Sequence, residues 1–415
     1  MKNIIRTSSF LLLSLSYCFS IFALLSICGM GKVQGVQGYP NVLTEFTWEA
    51  DSVPAGVDPH AAFGNAVGQR FGDVIKERLQ EDENLQKNLM PRFAPPHGKD
   101  AAVYEKYLDR NRKVYPDYVR ELEGMAEGAG VSFEALFINQ MEEEFSYFVS
   151  GRQEKVILHC SDVAWRSAEG ASFMAHNEDS AAYDRNRTAL ITAHGGVGQD
   201  GATFTTYTYL GNTPTGAFGW NDRGVAFTMN YVAPEKADLE GGLSRVFMAR
   251  DLLEARSLDD AVARAVRAGI ATGHNYQISE LSSGRIVNVE VASYGRYSVR
   301  EIIPGQPAFF HANEYLTLNV PGQRLSNSSQ HRQRRAKEIL ASAPVHGPQD
   351  MLDIIGDQKD RQWPIYHDDL SHAQGDLDCW TLTSILIDIA KRTVSVYQEN
   401  PSRSTPVSVI DMHAE

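Results

Sequence analysis

The apolar period of this 415-residue chain changes at about Lys155. That switch limits what the chain can fold into, because a stretch patterned for helix will not sit still as a strand. From about Asp58 to Phe148, apolar residues recur at helical spacing through Phe63 to Leu79, Tyr104 to Leu122 and Phe133 to Tyr147. Breaks fall at the proline-rich stretch Pro91 to Pro96 and at Gly128-Ala129-Gly130, and Ser132 stands where a helix N-cap belongs. Beyond Lys155 come short β-type runs at Val156 to Val163, Ser172 to His176, Ala189 to Ala193, Phe204 to Leu210 and Val225 to Tyr231. Clusters of Gly, Asn and Asp separate them, the signature of antiparallel sheet. Helical stretches follow at Ser244 to Ala255 and Leu258 to Ala268, then strands at Tyr276 to Leu281, Ile286 to Ala292, Tyr297 to Ile303 and Ala308 to His311. Helices at Ser326 to Ala341 and Pro348 to Ile355 precede strands at Leu382 to Ile389 and Val394 to Tyr397. Blocks of this kind predict an α+β protein in segregated layers, with two sheets between helical layers.

The first 31 residues are of another character. Lys2 and Arg6 precede an apolar run from about Phe10 to Ile27, and Gly29 and Gly31 follow. This is the layout of a secretory signal peptide, and at this length it also fits an uncleaved signal anchor. A secreted or lumenal protein is expected, touching a membrane only if the signal stays. Cys18 and Cys28 belong to that segment, so a mature chain keeps Cys160 and Cys379, too few for a disulfide framework. Asn186 and Asn327 head N-x-S/T sequons and are candidate glycosylation sites. A net charge of −13 repels phosphate backbones and disfavours nucleic acid as a partner, while tolerating cationic small molecules. Gly195-Gly196-Val197-Gly198 lies between strands rather than before a helix, so no nucleotide site is expected.

Chemistry concentrates in His159-Cys160-Ser161-Asp162-Val163-Ala164-Trp165 and Phe173-Met174-Ala175-His176-Asn177-Glu178-Asp179. Two strands flanking the turn Ala168-Glu169-Gly170 would bring Asp179 back beside Cys160. A thiolate is a strong nucleophile but needs a base to form. If the peptide bond before Cys160 were cut, the new α-amine, titrating at roughly 7.7–8.0, would be that base. A buried structural cysteine with a turn aspartate is the plain alternative. His367, Asp368, Asp369, His372, Asp376 and Asp378 cluster in sequence but match no metal spacing, so no metal and no cofactor is expected. His176 reads as a hydrogen-bonded structural histidine, Cys379 as a packed thiol, and Trp220, Trp363 and Trp380 as core or pocket walls. Arg334, Arg335 and Lys337 read as a solvated helix face.

The chain resembles the cysteine N-terminal nucleophile hydrolases that include acyl-coenzyme A:isopenicillin N acyltransferase and insect N-β-alanyl-dopamine hydrolase. The resemblance runs over about residues 60–412. Gly64-Asn65-Ala66-Val67-Gly68 and the stretch from Pro116 to Gly130 are similar to that family's pro-segment. Cys160 matches the nucleophile that opens the mature subunit, and Asp179, 19 positions on, matches the aspartate that organises it. Gly219 to Asn230 is similar to the segment contributing to the oxyanion hole, with Asn230 at its end. His311-Ala312-Asn313 resembles the strand end whose asparagine completes that hole, and Arg332 the helix arginine that supports the nucleophile.

The resemblance implies a four-layer αββα fold, with a helical pro-segment (40–159) kept as a subunit beside a catalytic region (160–415). It implies self-cleavage between His159 and Cys160, then attack by Cys160 on the amide bond of a small N-acyl amine through a thioester. The relatives carry glycine before the scissile bond where this chain has His159. Near the closing strands this chain has Asp376 and Asp378 where the penicillin enzyme has a basic residue, which suits an ammonium-bearing acyl group such as β-alanyl. Transfer from a thioester donor, and a secreted binding protein of the same fold, remain the alternatives.

Overall fold

The computed structural model of the chain describes residues 43–149, 160–198, 201–368 and 379–412; residues 1–31, expected to be a targeting segment, lie outside them. Fourteen strands occur among these residues: β1 (Glu45–Glu49), β2 (Ser161–Arg166), β3 (Ser172–Ala181), β4 (Thr188–His194), β5 (Phe204–Tyr209), β6 (Gly216–Asn221), β7 (Val225–Tyr231), β8 (His274–Glu280), β9 (Arg285–Ala292), β10 (Arg296–Glu301), β11 (Phe309–His311), β12 (Cys379–Asp388), β13 (Thr393–Tyr397) and β14 (Ser408–Asp411). The α-helices are α1 (Pro59–Glu81), α2 (Met90–Phe93), α3 (Ala101–Val114), α4 (Pro116–Ala129), α5 (Phe133–Gln140), α6 (Glu142–Ser146), α7 (Arg245–Leu252), α8 (Leu258–Ala265), α9 (Asn327–Ser342) and α10 (Pro348–Ile355). None of them is long and apolar enough to cross a membrane.

The strands form an eight-stranded sheet, β1-β4-β5-β6-β7-β8-β9-β10, and a six-stranded sheet, β11-β2-β3-β12-β13-β14. Side chains alternate between faces of a strand, and here both faces of the central strands are covered. Ala189, Ile191 and Ala193 of β4 join Phe63, Val67, Leu122 and Phe247 in a core under the first helical layer. Leu190, between them, joins Met174, Phe218, Trp220 and Ile385 in a core between the sheets. Val163 and Phe173 of the second sheet meet Ala336, Met351 and Ile355 of α9 and α10 in a third core. Helix, sheet, sheet, helix is therefore the order of layers, the αββα arrangement expected of the sequence.

Ser132 caps α5, accepting from the Ala135 N–H at 3.1 Å, as the sequence predicts. Two departures have physical causes. The segment 40–159 is not wholly helical: β1 runs parallel to β4, with Trp48 opposite Ala193, and so gives the first sheet its edge. Of the run expected at Val156 to Val163, residues 156–159 lie outside the described residues, and β2 runs from Ser161 to Arg166 with the Cys160 carbonyl accepting from Arg332. β3 continues past His176 to Ala181, since β12 pairs with it over its whole length. Polar residues that read as a loop are buried there in a ladder.

The helices preceding Cys160 are bound tightly to one another and to the later part of the chain. A Cβ on Gly64 would lie 1.8 Å from the Glu121 carbonyl oxygen, and one on Gly124 would lie 2.1 Å from that of Ala61. Only hydrogen fits at these two points, so α1 and α4 touch backbone to backbone. Arg250 of α7 and Glu121 of α4, both fully buried, pair at 2.9 Å, and His60 Nδ1 meets the same carboxylate at 2.7 Å. Gly124→Val should lower the unfolding free energy by about 3 kcal/mol, the upper part of the range for overpacking. Gly347→Ala, where an added Cβ meets nothing within 4 Å, should stay within about 0.5 kcal/mol of wild type. Urea melts of both variants check this.

Candidate active site

Register assembles the site. Ser161 lies opposite Asn177 and Asp162 opposite His176, so Cys160, one residue before β2, comes level with Glu178. The Cys160 thiol donates to Glu178 Oε2 at 3.4 Å and points at the Asp179 backbone carbonyl at 4.0 Å. Glu178 is held from two further directions. Tyr209 of β5 donates its hydroxyl to Oε1, and His176 Nε2 meets Oε2 at 3.0 Å. His176 Nδ1 in turn meets Asp162 Oδ1 at 2.8 Å. The result is a buried chain, Asp162–His176–Glu178–Cys160, which local sequence pattern does not reveal. His176 is hydrogen-bonded at both nitrogens, but it lies one step from the thiol rather than in a remote packing role.

Arg332 fixes the other side. Ser326 caps α9 by accepting from the Ser329 N–H at 2.9 Å, and Arg332 lies on the second turn, fully buried. Its five N–H groups are all used. Nη1 donates to the Cys160 carbonyl at 2.6 Å and to Ser161 Oγ at 2.9 Å. Nη2 donates to Asn313 Oδ1 at 2.9 Å and Ser329 Oγ at 3.4 Å, and Nε to Ser328 Oγ at 3.1 Å. Asn313 follows β11 with a positive φ of 45°, a conformation asparagine tolerates. Because its oxygen accepts from Arg332, its nitrogen is set as the donor; one N–H goes to the Tyr231 carbonyl at 2.8 Å, and the other has no partner among the described residues. Asn230 donates from Nδ2 to His311 Nδ1 at 3.2 Å, which laces β7 to the strand end bearing Asn313.

Electrostatics follow from burial. The Cys160 thiol is pushed well above its ordinary range, first by burial and then by the Glu178 and Asp179 carboxylates. Burial also raises Asp179 to about 6, against the opposing pull of His367 and Arg332. Both its carboxylate oxygens are buried without a hydrogen bond among the described residues, and His367 Nδ1 lies 3.8 Å from Oδ2. Burial alone would lower the pKa of His176, yet Asp162 and Glu178 outweigh it and hold the imidazole at about 10.

Cys160, Asp179, Asn230, Asn313 and Arg332 thus converge on one end of the paired sheets. His159, Asp376 and Asp378 lie outside the described residues, as do Asp369 and His372. His367 turns to Asp179, and Asp368 accepts from Gln358 at 2.9 Å. Asn186 and Asn327 are exposed. Arg334 and Lys337 are exposed as expected of a solvated face, Trp220 sits between the sheets, and Cys379 is buried at the start of β12. Cys160 Sγ, His176 Nε2 and Glu178 Oε2 lie within 4.8 Å of one another, a sulfur, nitrogen and oxygen set of the kind that takes zinc. In this arrangement they satisfy one another through hydrogen bonds.

Glu178, Asp162 and Tyr209 were missed by sequence reasoning. The one available signal was the run of polar residues from His176 to Asp179, which is unusual in a strand and costly to bury unpaired.

Residues 165–403 match the model of the family described as acyl-coenzyme A:6-aminopenicillanic acid acyl-transferase. The beta-alanyl-dopamine/carcinine hydrolase of Drosophila melanogaster is 25% identical over 368 residues, covering 84% of this chain and 92% of that protein. Among solved structures, the Caenorhabditis elegans ortholog of N-acylethanolamine-hydrolyzing acid amidase superposes with a TM-score of 0.39 at 12% identity, covering 56% of this chain and 93% of that one. Penicillin V acylase from Agrobacterium tumefaciens gives 0.39 at 16%, covering 61% and 86%.

A folded-state pKa raised from 6.5 to about 10 makes His176 a source of stability that is complete below pH 6.5 and lost as pH rises through about 10. Its ring NMR signals should keep the imidazolium form through neutral pH. A midpoint below 7 would contradict the two-carboxylate clamp.

Proposed function

This chain belongs to the acyl-coenzyme A:6-aminopenicillanic acid acyl-transferase family, and we propose that it is a self-processing cysteine amidohydrolase acting on small N-acyl amines. The observation that carries this reading is charge. Asp162, Glu178 and Asp179 set three carboxylates at the site, Asp162 through His176, and Arg332, His176 and His367 are the basic groups already facing them. A thiolate added there needs one more positive group. Cutting the bond between His159 and Cys160 creates one, an α-ammonium attached to the nucleophile itself, and Asp179 has buried oxygens without a hydrogen bond among the described residues to receive it.

In this reading the α-amine takes the thiol proton, since its pKa of roughly 7.7–8.0 lies near working pH. The thiolate attacks the acyl carbonyl, and the oxyanion takes the remaining N–H of Asn313. A neutral amide suits that task because it donates without titrating. Collapse expels the amine with the proton, and water resolves the thioester. Arg332 holds the Cys160 carbonyl and Asn313 in one frame throughout. The segment before the cut stays as a subunit, supported by β1 in the first sheet and by the buried Glu121–Arg250 pair.

The fly relative is named for β-alanyl amines, and an acyl group ending in an ammonium also suits this chain. Glu314 follows Asn313 directly, half-buried, with Oε1 unpartnered among the described residues and its pKa raised by burial. Asp376 and Asp378 are proposed to add carboxylates to the same pocket. Hydrolysis is favoured over transfer from a thioester donor because export would part the enzyme from coenzyme A. Export itself, with glycans at Asn186 and Asn327, rests on the targeting segment and the sequons.

On a denaturing gel the purified protein should run as two pieces, the larger beginning at Cys160 by N-terminal sequencing, while Cys160→Ala stays whole. An active but uncut wild type would sink the α-amine mechanism, and an uncut, inactive one would favour a binding protein. Asn313→Ala should fold yet lose about 10²–10³ in turnover, the usual cost of one oxyanion donor. With β-alanyl amides set against neutral acyl amides of equal length, Asp378→Asn should compress the wild-type kcat/KM preference. An unchanged ratio would remove that residue from the pocket.

A further inference from the structure

Before the cut, the nitrogen of Cys160 is an amide and cannot serve as a base, so turnover and self-cleavage need different proton acceptors. We propose that Glu178 is the general base of self-cleavage, taking the Cys160 thiol proton in the intact chain; this rests on the processing reaction proposed above. Glu178 Oε2 is the carboxylate oxygen in contact with Sγ, at 3.4 Å. Asp179 offers the thiol its backbone carbonyl, at 4.0 Å, which cannot accept a proton for catalysis. The two adjacent acids thereby divide the work: Glu178 acts before the bond is broken and Asp179 holds the ammonium that appears afterwards.

The step balances without a further reagent. Sγ gives its proton to Glu178 Oε2 and attacks the carbonyl carbon of residue 159. The C–N bond breaks as the proton passes from Glu178 to the departing nitrogen, leaving a thioester on Sγ and a free α-amine on Cys160. Water then hydrolyses the thioester, restoring the thiol and releasing the new carboxyl end. Arg332, bonded to the Cys160 carbonyl at 2.6 Å, keeps the nucleophile's own peptide unit fixed while its nitrogen changes from amide to amine.

The surroundings explain why such a base suits a single turnover. Glu178 already accepts from Tyr209 and meets His176 Nε2, so a proton arriving on Oε2 competes with a partner already in place. Moving a proton from a buried thiol onto it is uphill. A reaction needed once in the life of a molecule tolerates a barrier that repeated turnover does not, since each 1.36 kcal/mol costs only about tenfold in rate. Once the amine exists it is the stronger base, and the carboxylate is superseded.

The test tracks precursor to product on denaturing gels after synthesis of the full chain, with near-ultraviolet circular dichroism of the Cys160→Ala precursor as the reference for folding. Glu178→Gln keeps the size of the side chain and should slow cleavage by about 10²–10⁴-fold, the usual worth of a general base. Tyr209→Phe removes a donor that holds the carboxylate and should speed cleavage, so it keeps the assignment testable if Glu178→Gln does not fold. Cleavage of folded Glu178→Gln at the wild-type rate overturns the assignment. Equal slowing in both variants also overturns it, because a merely structural support would behave that way. A wild-type chain that never cuts removes the processing reaction itself, and a cutting wild type with an indifferent Glu178→Gln removes only the role of Glu178.

Discussion

Arg332 joins three parts of the chain that are far apart in sequence. A guanidinium with no exposed surface is costly to bury unless every N–H finds an acceptor. Here the acceptors are the Cys160 carbonyl, Ser161, Asn313, Ser328 and Ser329. Satisfying them fixes the distance between the start of β2 and the residues after β11, and seats α9 against the second sheet. The proposed nucleophile and the proposed oxyanion donor thus share one cation. Displacement of either would leave a buried donor unpaired, at about 1–3 kcal/mol per group.

Against that fixed cation, the carboxylates give the site its direction. Asp162 and Glu178 hold His176 as an imidazolium from both sides, so that pair of acids is largely neutralised within the strand pair β2–β3. Asp179 is left with unmet acceptor capacity among the described residues. The fully buried ladder between β3 and β12 supplies the low dielectric that makes each of these charges count. A site with these properties disfavours a thiolate until a positive group arrives, which ties the proposed chemistry to the proposed cut.

The helical segment ahead of Cys160 is built into the same body. α1 and α4 approach through Gly64 and Gly124, β1 edges the first sheet, and Glu121 and His60 meet Arg250 from the far side of the nucleophile in sequence. The proposed cut before Cys160 breaks none of these contacts.

Much of the layer order was legible in the sequence because it depends on local period: the helical run before Lys155, the span of α10, and β7 from Val225 to Tyr231. Cys160, Asp179, Asn313 and Arg332 were singled out through family likeness, and the fold brings Cys160 and Asn313 onto Arg332. Boundaries in β2 and β3 were not, because whether polar residues such as Asn177, Glu178 and Asp179 sit in a turn or a ladder depends on a partner strand about 200 residues away. The partnership of Glu178 with the thiol, and of His176 with two carboxylates, likewise arose only from the register of β2 on β3 and the approach of Tyr209 from the other sheet. The chain's period dictates which residues face inward; only the packed sheets decide which of those inward charges meet, because contact between them is set by cross-strand register and inter-sheet distance, neither of which is written in local sequence.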